Sequence, residues 1–357
     1  MTNRQEENSG IRDVSEAHKF DIRVLEDYLG EHIDDFGGPL TVHQFKGGQS
    51  NPTYLLESPS GKYVMRRKPP GQLLKSAHAV DREFRVISAL YDAGFPVPKP
   101  YLLCEDADVV GTIFFVMSFV EGRILWELDL PGRDPNERGA IYDAMNKTIA
   151  DLHKVDYEAI GLGDFGRPGN YFARQISRWS QQYQMSEIDK IPEMDALISW
   201  LPGNIPDDDS SSIVHGDYRL DNMILHPTEP KIVAVLDWEL STIGHPLGDF
   251  TYHLMAWQMP NLGIGSSGLV GKDFDALGIP DEQSYVDRYC ERTGRGGGIF
   301  DRDFYSAYNF FRIAAILQGI AGRVRDGTAA SAHAARSAGA VSPLAKIGWE
   351  CARRADT

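Results

Sequence analysis

Four residues in the second half of the chain have types and spacings that suit one kind of chemistry. His215-x-Asp217 is followed by Asn222, and fifteen residues later Asp237 closes the apolar run Ile232–Leu236. Phosphoryl transfer asks little covalent work of a protein. It needs a base that orients the attacking hydroxyl, oxygen ligands for magnesium, and cations or amides on the phosphates. On one tight loop, Asp217 can accept the substrate proton while the neutral Asn222 amide oxygen binds metal without adding charge. Asp237, at the end of a buried strand, supplies the anionic metal ligand. His215 is expected to hold the loop by hydrogen bonds rather than to react. The alternative is a polar turn whose Asp and Asn merely cap backbone groups, the ordinary use of these residues.

The first half offers a complementary set. Gly47-Gly48-Gln49-Ser50-Asn51, between two strand-like runs, can lay backbone N–H groups over nucleotide phosphates, although alone it reads equally as a hairpin turn. The run Tyr63-Val64-Met65-Arg66 then places a guanidinium where it can grip phosphate bidentately. Glu83, one step from the apolar stripe of the next helix, can pair with it. Arg67 and Lys68 adjoin Arg66, so the identity of the phosphate-binding cation stays open, as does a reading of all three as solvated charges on an edge strand. Phe114–Val120 suits a hinge that stacks a base on an apolar wall at Met117 and reads its edge with backbone near Ser118 and Val120. It suits an ordinary buried strand as well.

The elements that must position these groups follow from hydrophobic periodicity. A helix is predicted over Asp21–Ile33, strands over Thr41–Phe45, Thr53–Glu57 and Lys62–Arg67, and a helix from about Ala77 to Tyr91. A strand near Tyr101–Cys104 and the Ile113–Val120 run complete a sheet-rich part. Beyond about residue 122 the texture is helical, with Asn136–Val155, Asn170–Tyr183 and Glu193–Leu201. Short strands at Met223–Leu225 and Ile232–Leu236 flank a turn. In the later helices Phe310, Phe311, Ile313 and Ile316 are expected core. Residues 1–20 read as a loose polar arm, 21–120 as a nucleotide-binding lobe, and 121–357 as a catalytic and substrate-binding lobe.

Composition excludes several classes. The 357 residues carry 36 basic and 51 acidic side chains, a formal charge of −15, which argues against nucleic acid as partner. The three cysteines, Cys104, Cys290 and Cys351, show no metal or redox spacing. The longest apolar run is less than half of the ~20 residues that span a bilayer. With no secretory-type apolar segment near Met1, a soluble, cytoplasmic protein is expected. Residues 288–357 nevertheless hold eleven basic and six acidic groups, an excess of +5.

The order Gly-Gly-Gln-Ser-Asn-Pro-Thr, Val-Met-Arg, Arg-Glu-Phe, Met-Ser-Phe-Val-Glu-Gly, His-Gly-Asp-Tyr-Arg-Leu-Asp-Asn and Leu-Asp-Trp-Glu resembles the aminoglycoside phosphotransferase and choline kinase-like family. Lys68-Pro69-Pro70-Gly71 with Gly161-Leu162-Gly163-Asp164-Phe165-Gly166 is similar to the branch found fused or adjacent to acyl-CoA dehydrogenases. The resemblance implies an α+β, bilobal protein-kinase-like fold, ATP and Mg²⁺. It implies Asp217 as base, Asn222 and Asp237 as metal ligands, Glu83 as the helix glutamate, and Asp249 as a structural residue that caps a helix and braces the loop. Arg66 stands where many relatives have lysine.

Only eleven residues separate Asp237 from Asp249, too few for an activation segment that cradles a peptide, and Gly216 replaces the arginine of the protein-kinase His-Arg-Asp triplet. A small-molecule hydroxyl is therefore the expected acceptor. A hydroxyacyl-CoA is favoured over an aminoglycoside or amino alcohol, and a catalytically silent, pseudokinase-like ATP-binding module is the competing class. Basic residues among Arg288, Arg292, Arg295, Arg302, Arg312, Arg323 and Arg325 are candidates for an anionic substrate, or else simple surface arginines. Asp207-Asp208-Asp209 reads as a solvated loop. Gly263–Gly268 fits a dinucleotide fingerprint but follows a Pro-Asn loop, not a strand. No sequence feature specifies an oligomeric state.

Overall fold

The computed structural model describes residues 9–46, 51–69, 79–262, 268–325 and 339–357. Gly48, Gln49 and Ser50 of the glycine-rich loop, and most of Gly263–Gly268, lie outside the described residues. The chain packs as two compact units. The first comprises Met1–Trp126, Tyr157–Phe165 and Arg219–Ser241; the second comprises Glu127–Asp156, Gly166–Tyr218 and Thr242–Thr357.

In the first unit a six-stranded antiparallel sheet has the order β1-β2-β3-β4-β6-β5. The strands are β1 (Ile11–Arg12), β2 (Thr41–Phe45), β3 (Thr53–Ser58), β4 (Gly61–Arg67), β5 (Pro100–Cys104) and β6 (Phe114–Ser118). Side chains alternate between faces with a period of two. Tyr54, Leu56, Tyr63, Met65, Phe114 and Val116 share one core, joined by Leu25 and Leu29 from the Ile22–His32 helix. That helix starts at Asp21, whose carboxylate accepts from Arg23 N at 2.9 Å. Leu25 and Leu29, four residues apart, bury the same stripe. The helix Val80–Asp92 follows β4. A two-stranded hairpin, β8 (Met223–Leu225) with β9 (Ile232–Val235), belongs to this unit. It is stitched in by Val235 N to Pro96 O at 2.8 Å and by Arg123 N to Leu225 O at 2.8 Å.

The second unit is mainly helical. Its longer helices are Pro135–Lys154, Tyr171–Ser186, Pro192–Trp200, Pro246–Gln258, Glu282–Thr293, Arg302–Arg325 and Val341–Ala355. The strands β7 (Ser212–Val214) and β10 (Thr242–Gly244) pair antiparallel. Arg302–Arg325 is apolar on several faces, burying Phe304, Tyr308, Phe310, Phe311, Ala314 and Ala315, as befits a central helix. Ile313 and Ile316, expected in the core, are only partly buried. This is the α+β, protein-kinase-like class the motifs imply. Among the described residues no helix is long and apolar enough to cross a membrane.

Candidate active site

The boundary between the units falls inside the His-Gly-Asp motif loop, after Tyr218, and each half has its own supports. In the second unit, His215 is fully buried and its Nδ1 accepts from Asp217 N at 3.2 Å, so it holds the loop as expected. Gly216 sits at φ +84°, a left-handed conformation that disfavours a side chain and turns the chain sharply into Asp217. Asp249 braces the same turn. Its Oδ2 accepts from His215 N at 2.7 Å and its Oδ1 from Gly216 N at 2.8 Å. Burial alone would raise this carboxyl. The His153 side chain and the His215 backbone N–H outweigh burial and hold it below the usual carboxylate range. The expected capping role is not found. The Pro246–Gln258 helix is capped by His245, whose Nδ1 accepts from Leu247 N, and Asp249 lies one turn further in.

In the first unit the β8–β9 hairpin brings the two candidate metal ligands to the same end. Asn222 ends a 3₁₀ turn before β8, and its carbonyl receives Leu236 N at 2.8 Å, next to Asp237. Asp237 adopts φ 65°, ψ 61° and makes no side-chain cap. A non-glycine residue there is strained, which disfavours the reading as an ordinary turn-capping aspartate. Its carboxylate instead pairs with Arg66 Nη2. An Asn oxygen and one carboxylate are hard donors that suit Mg²⁺, which takes few protein ligands and completes its shell with water and phosphate.

Period-two alternation separates the three candidate cations. Arg67 shares a face with Tyr63 and Met65, stacks on Phe20 and Tyr54, and donates to Val110 O at 2.8 Å, while Lys68 lies past the end of β4. Arg66 turns the other way and is 7% exposed. Its Nε lies 2.8 Å from Glu83 Oε2, and its Nη2 pairs with Asp237 and lies 3.6 Å from Glu239 Oε2. Glu83 is buried, and its Oε1 accepts from Trp238 N at 3.3 Å. Burial drives Glu83 above the usual carboxylate range, while the Arg66 guanidinium pulls the other way. Asn51, the described end of the glycine-rich loop, is buried and donates Nδ2 to Glu239 Oε2 at 3.0 Å.

In the segment expected to serve as a hinge, Met117 is buried on β6. Ser118 N donates to Lys99 O at 2.8 Å, and Ser118 Oγ accepts from Lys99 N. The Ser118 N–H is thus committed to the protein and cannot read a base edge. Among the described residues the Val120 N–H makes no hydrogen bond.

The profile of the phosphotransferase enzyme family, APH, matches residues 41–307. The chain belongs to the phosphotransferase enzyme family. Acyl-CoA dehydrogenase family member 11 of Rattus norvegicus is 43% identical over 96% of the chain, but the chain spans only 44% of that relative. A crystal structure from Ralstonia eutropha JMP134, provisionally named an aminoglycoside phosphotransferase, is 54% identical with a TM-score of 0.86, covering 94% of this chain and 99% of that one. A thermostable mutant of an aminoglycoside phosphotransferase, solved with ADP and hygromycin B, shares the fold at 15% identity and TM-score 0.57, covering 92% and 98%.

Two residues of this phosphotransferase-family chain, Glu239 and Tyr252, escaped the sequence reading, and a third, Arg312, was weighed there only as a substrate-facing or surface cation. Glu239 lies two residues past Asp237 and joins the Arg66 cluster. Tyr252 sits three residues after Asp249 on one helix, hence on the same face, and donates its hydroxyl to Asp217. Arg312 is buried within an otherwise apolar stretch. It donates to Gly216 O at 2.7 Å and lies over the Tyr252 ring. A lone cation in an apolar helix was the available signal, since buried charge is rare without partners.

Proposed function

We infer that this chain transfers a phosphoryl group from ATP to a hydroxyl of a small molecule, with Mg²⁺ held by Asn222 and Asp237. The observation that carries this is Arg66, buried among Glu83, Asp237 and Glu239. Buried ion networks are poor stabilisers compared with apolar packing, so one joining β4, the Val80–Asp92 helix and the Asp-Trp-Glu segment points to work on phosphate. When bound, Mg²⁺ neutralises triphosphate charge. Arg66 grips phosphate oxygens, and Asp217 accepts the proton of the attacking hydroxyl in a conformation set by Tyr252 and the Asp249-braced loop. The nucleotide found in a relative of the same fold supports the choice of ATP.

For the acceptor we favour a hydroxyacyl-CoA, on the strength of relatives named for acyl-CoA dehydrogenase. Charge no longer argues for it. Arg288 and Arg292 pair with Asp143, Arg295 with Asp208, and Arg302 lies 3.8 Å from Glu282. Nor does charge favour a polycation, because Asp208 is paired and Asp209 accepts from Asn170 N at 2.7 Å. The test is ADP release with Mg-ATP and, in turn, hydroxyacyl-CoAs, aminoglycosides and amino alcohols. Acceleration by a hydroxyacyl-CoA alone supports the reading. Thermal stabilisation by ATP without any hydrolysis would instead favour a silent nucleotide-binding module.

A further inference from the structure

The run Gly161–Gly166, distinctive in sequence, supplies nothing to the site described above. Tyr157–Phe165 packs with the first unit, although the chain on either side belongs to the second. There it meets the Val80–Asp92 helix. Arg82 Nη2 donates to Phe165 O at 2.6 Å, and the same guanidinium lies 4.2 Å from the Phe165 ring centroid. Arg85 Nη2 donates to Gly161 O at 2.9 Å and pairs with Asp164. Leu162 and Phe165 are both 1% exposed, so the segment is itself anchored.

The helix needs such support at this end. It begins after Ala79, whose side chain offers no cap, and among the described residues no other side chain caps this first turn, which without one frays. Arg82 and Arg85 are one turn apart and bracket Glu83, the residue that holds Arg66 and the Trp238 N–H. An exposed ion pair such as Arg85–Asp164 stabilises little by itself. A backbone carbonyl bond, an aromatic face and a second carbonyl bond acting together on one turn restrain it far more.

We propose that residues 161–165 form a clip that fixes the first turn of the Val80–Asp92 helix, so that Glu83 holds Arg66 in position for nucleotide phosphates. Arg82 and Phe165 are positioning residues that act through Glu83. This rests on the assignment of Arg66 to phosphate, and its test separates the two.

Calorimetry of Mg-ATP binding to the whole chain should give a Kd raised about fivefold by Arg82→Ala or Phe165→Ala, in line with loss of one cation–π contact and one charged hydrogen bond. Arg82→Lys should recover part of it. In a Glu83→Gln background the same substitutions should have no further effect, because the clip then has nothing to transmit. An equal loss in both backgrounds, or no loss in either, overturns the proposal. Amide exchange of the ligand-free protein gives an independent reading. Arg82→Ala should speed exchange over Glu83–Ile87 and leave the Ile22–His32 helix unchanged. If the wild type binds no Mg-ATP, the nucleotide assignment fails, and exchange decides the clip: unaltered exchange over Glu83–Ile87 overturns it and faster exchange upholds it.

Discussion

Tyr252 Oη donates to Asp217 Oδ1 at 2.5 Å. The tyrosine ring lies beneath the Arg312 guanidinium, 5.2 Å away, and that arginine also holds Gly216 O. The carboxylate proposed as base is therefore oriented at Oδ1 by a residue of the Pro246–Gln258 helix. Hydrogen bonds to ionised groups are among the stronger ones, and a near-attack geometry depends on such restraint.

Tyr252→Phe keeps the ring under Arg312 and removes only the hydroxyl. Turnover, read as ADP release from Mg-ATP, should fall roughly tenfold or more, the loss expected for a hydrogen bond to a charged group. The KM for ATP should be unchanged. Wild-type turnover in the variant would show that Asp217 needs no such restraint.

Asp217→Asn should bind Mg-ATP as the wild type does and lose about 10³-fold in turnover, within the range for removal of a general base. Undiminished turnover rules out Asp217 as the base.

Arg66→Met and Arg67→Met separate two adjacent cations by the strand face they occupy. Arg66→Met leaves Glu83 buried without its partner. It should cost about 3 kcal/mol of stability near pH 8, less at low pH where Glu83 is neutralised, and should weaken Mg-ATP binding more than tenfold. Arg67→Met should lose stability through its Val110 and aromatic contacts and leave the ATP Kd unaltered. Equal effects of the two on ATP binding would contradict the assignment.

Acid should destabilise the fold well above the pKa of ordinary carboxylates. Burial lowers His245 and His253 to about 4, against about 6.5 in an unfolded chain. Between those values the unfolded state takes up protons that the folded state refuses, so stability falls as pH drops from about 6.5 to about 4. Each histidine accounts for roughly 2–3 kcal/mol across that window. Asp249, held low, adds a loss only below about pH 4. Urea midpoints measured from pH 7.5 to 4.5 should decline, and His253→Gln should lessen the slope. Glu83, raised to about 7 by burial, takes up a proton in the folded state and opposes about one histidine's share. A net decline remains, so a flat profile in the wild type would refute at least one of the two histidine shifts.

Much of the site was legible because its groups are local. His215, Asp217 and Asn222 sit within eight residues, and Asp237 ends an apolar run whose strand character is plain from β-branched residues. Alternation along Tyr63-Val64-Met65-Arg66-Arg67 already put Arg66 and Arg67 on opposite faces. What it lacked was which face held the core. Tyr252 was missed, and Arg312 was read only as a substrate-facing or surface cation, because they reach the loop across 35 and 96 residues of chain, and no local pattern encodes such a partner. The arginine-rich tail shows the converse. Its excess of charge invited a substrate role, yet Arg288, Arg292, Arg295 and Arg302 each have an acidic neighbour.

By itself, then, the order of residues determined the elements, the family and the chemical types at the centre. Periodicity, turn chemistry and motif spacing are properties of neighbours along the chain, and they survive without coordinates. Only the tertiary structure decided which cation faces the carboxylates, what the arginines beside Glu83 hold, and which tyrosine holds Asp217. Those pairings depend on hydrogen bonds of a few ångströms between distant segments, and packing alone sets such distances.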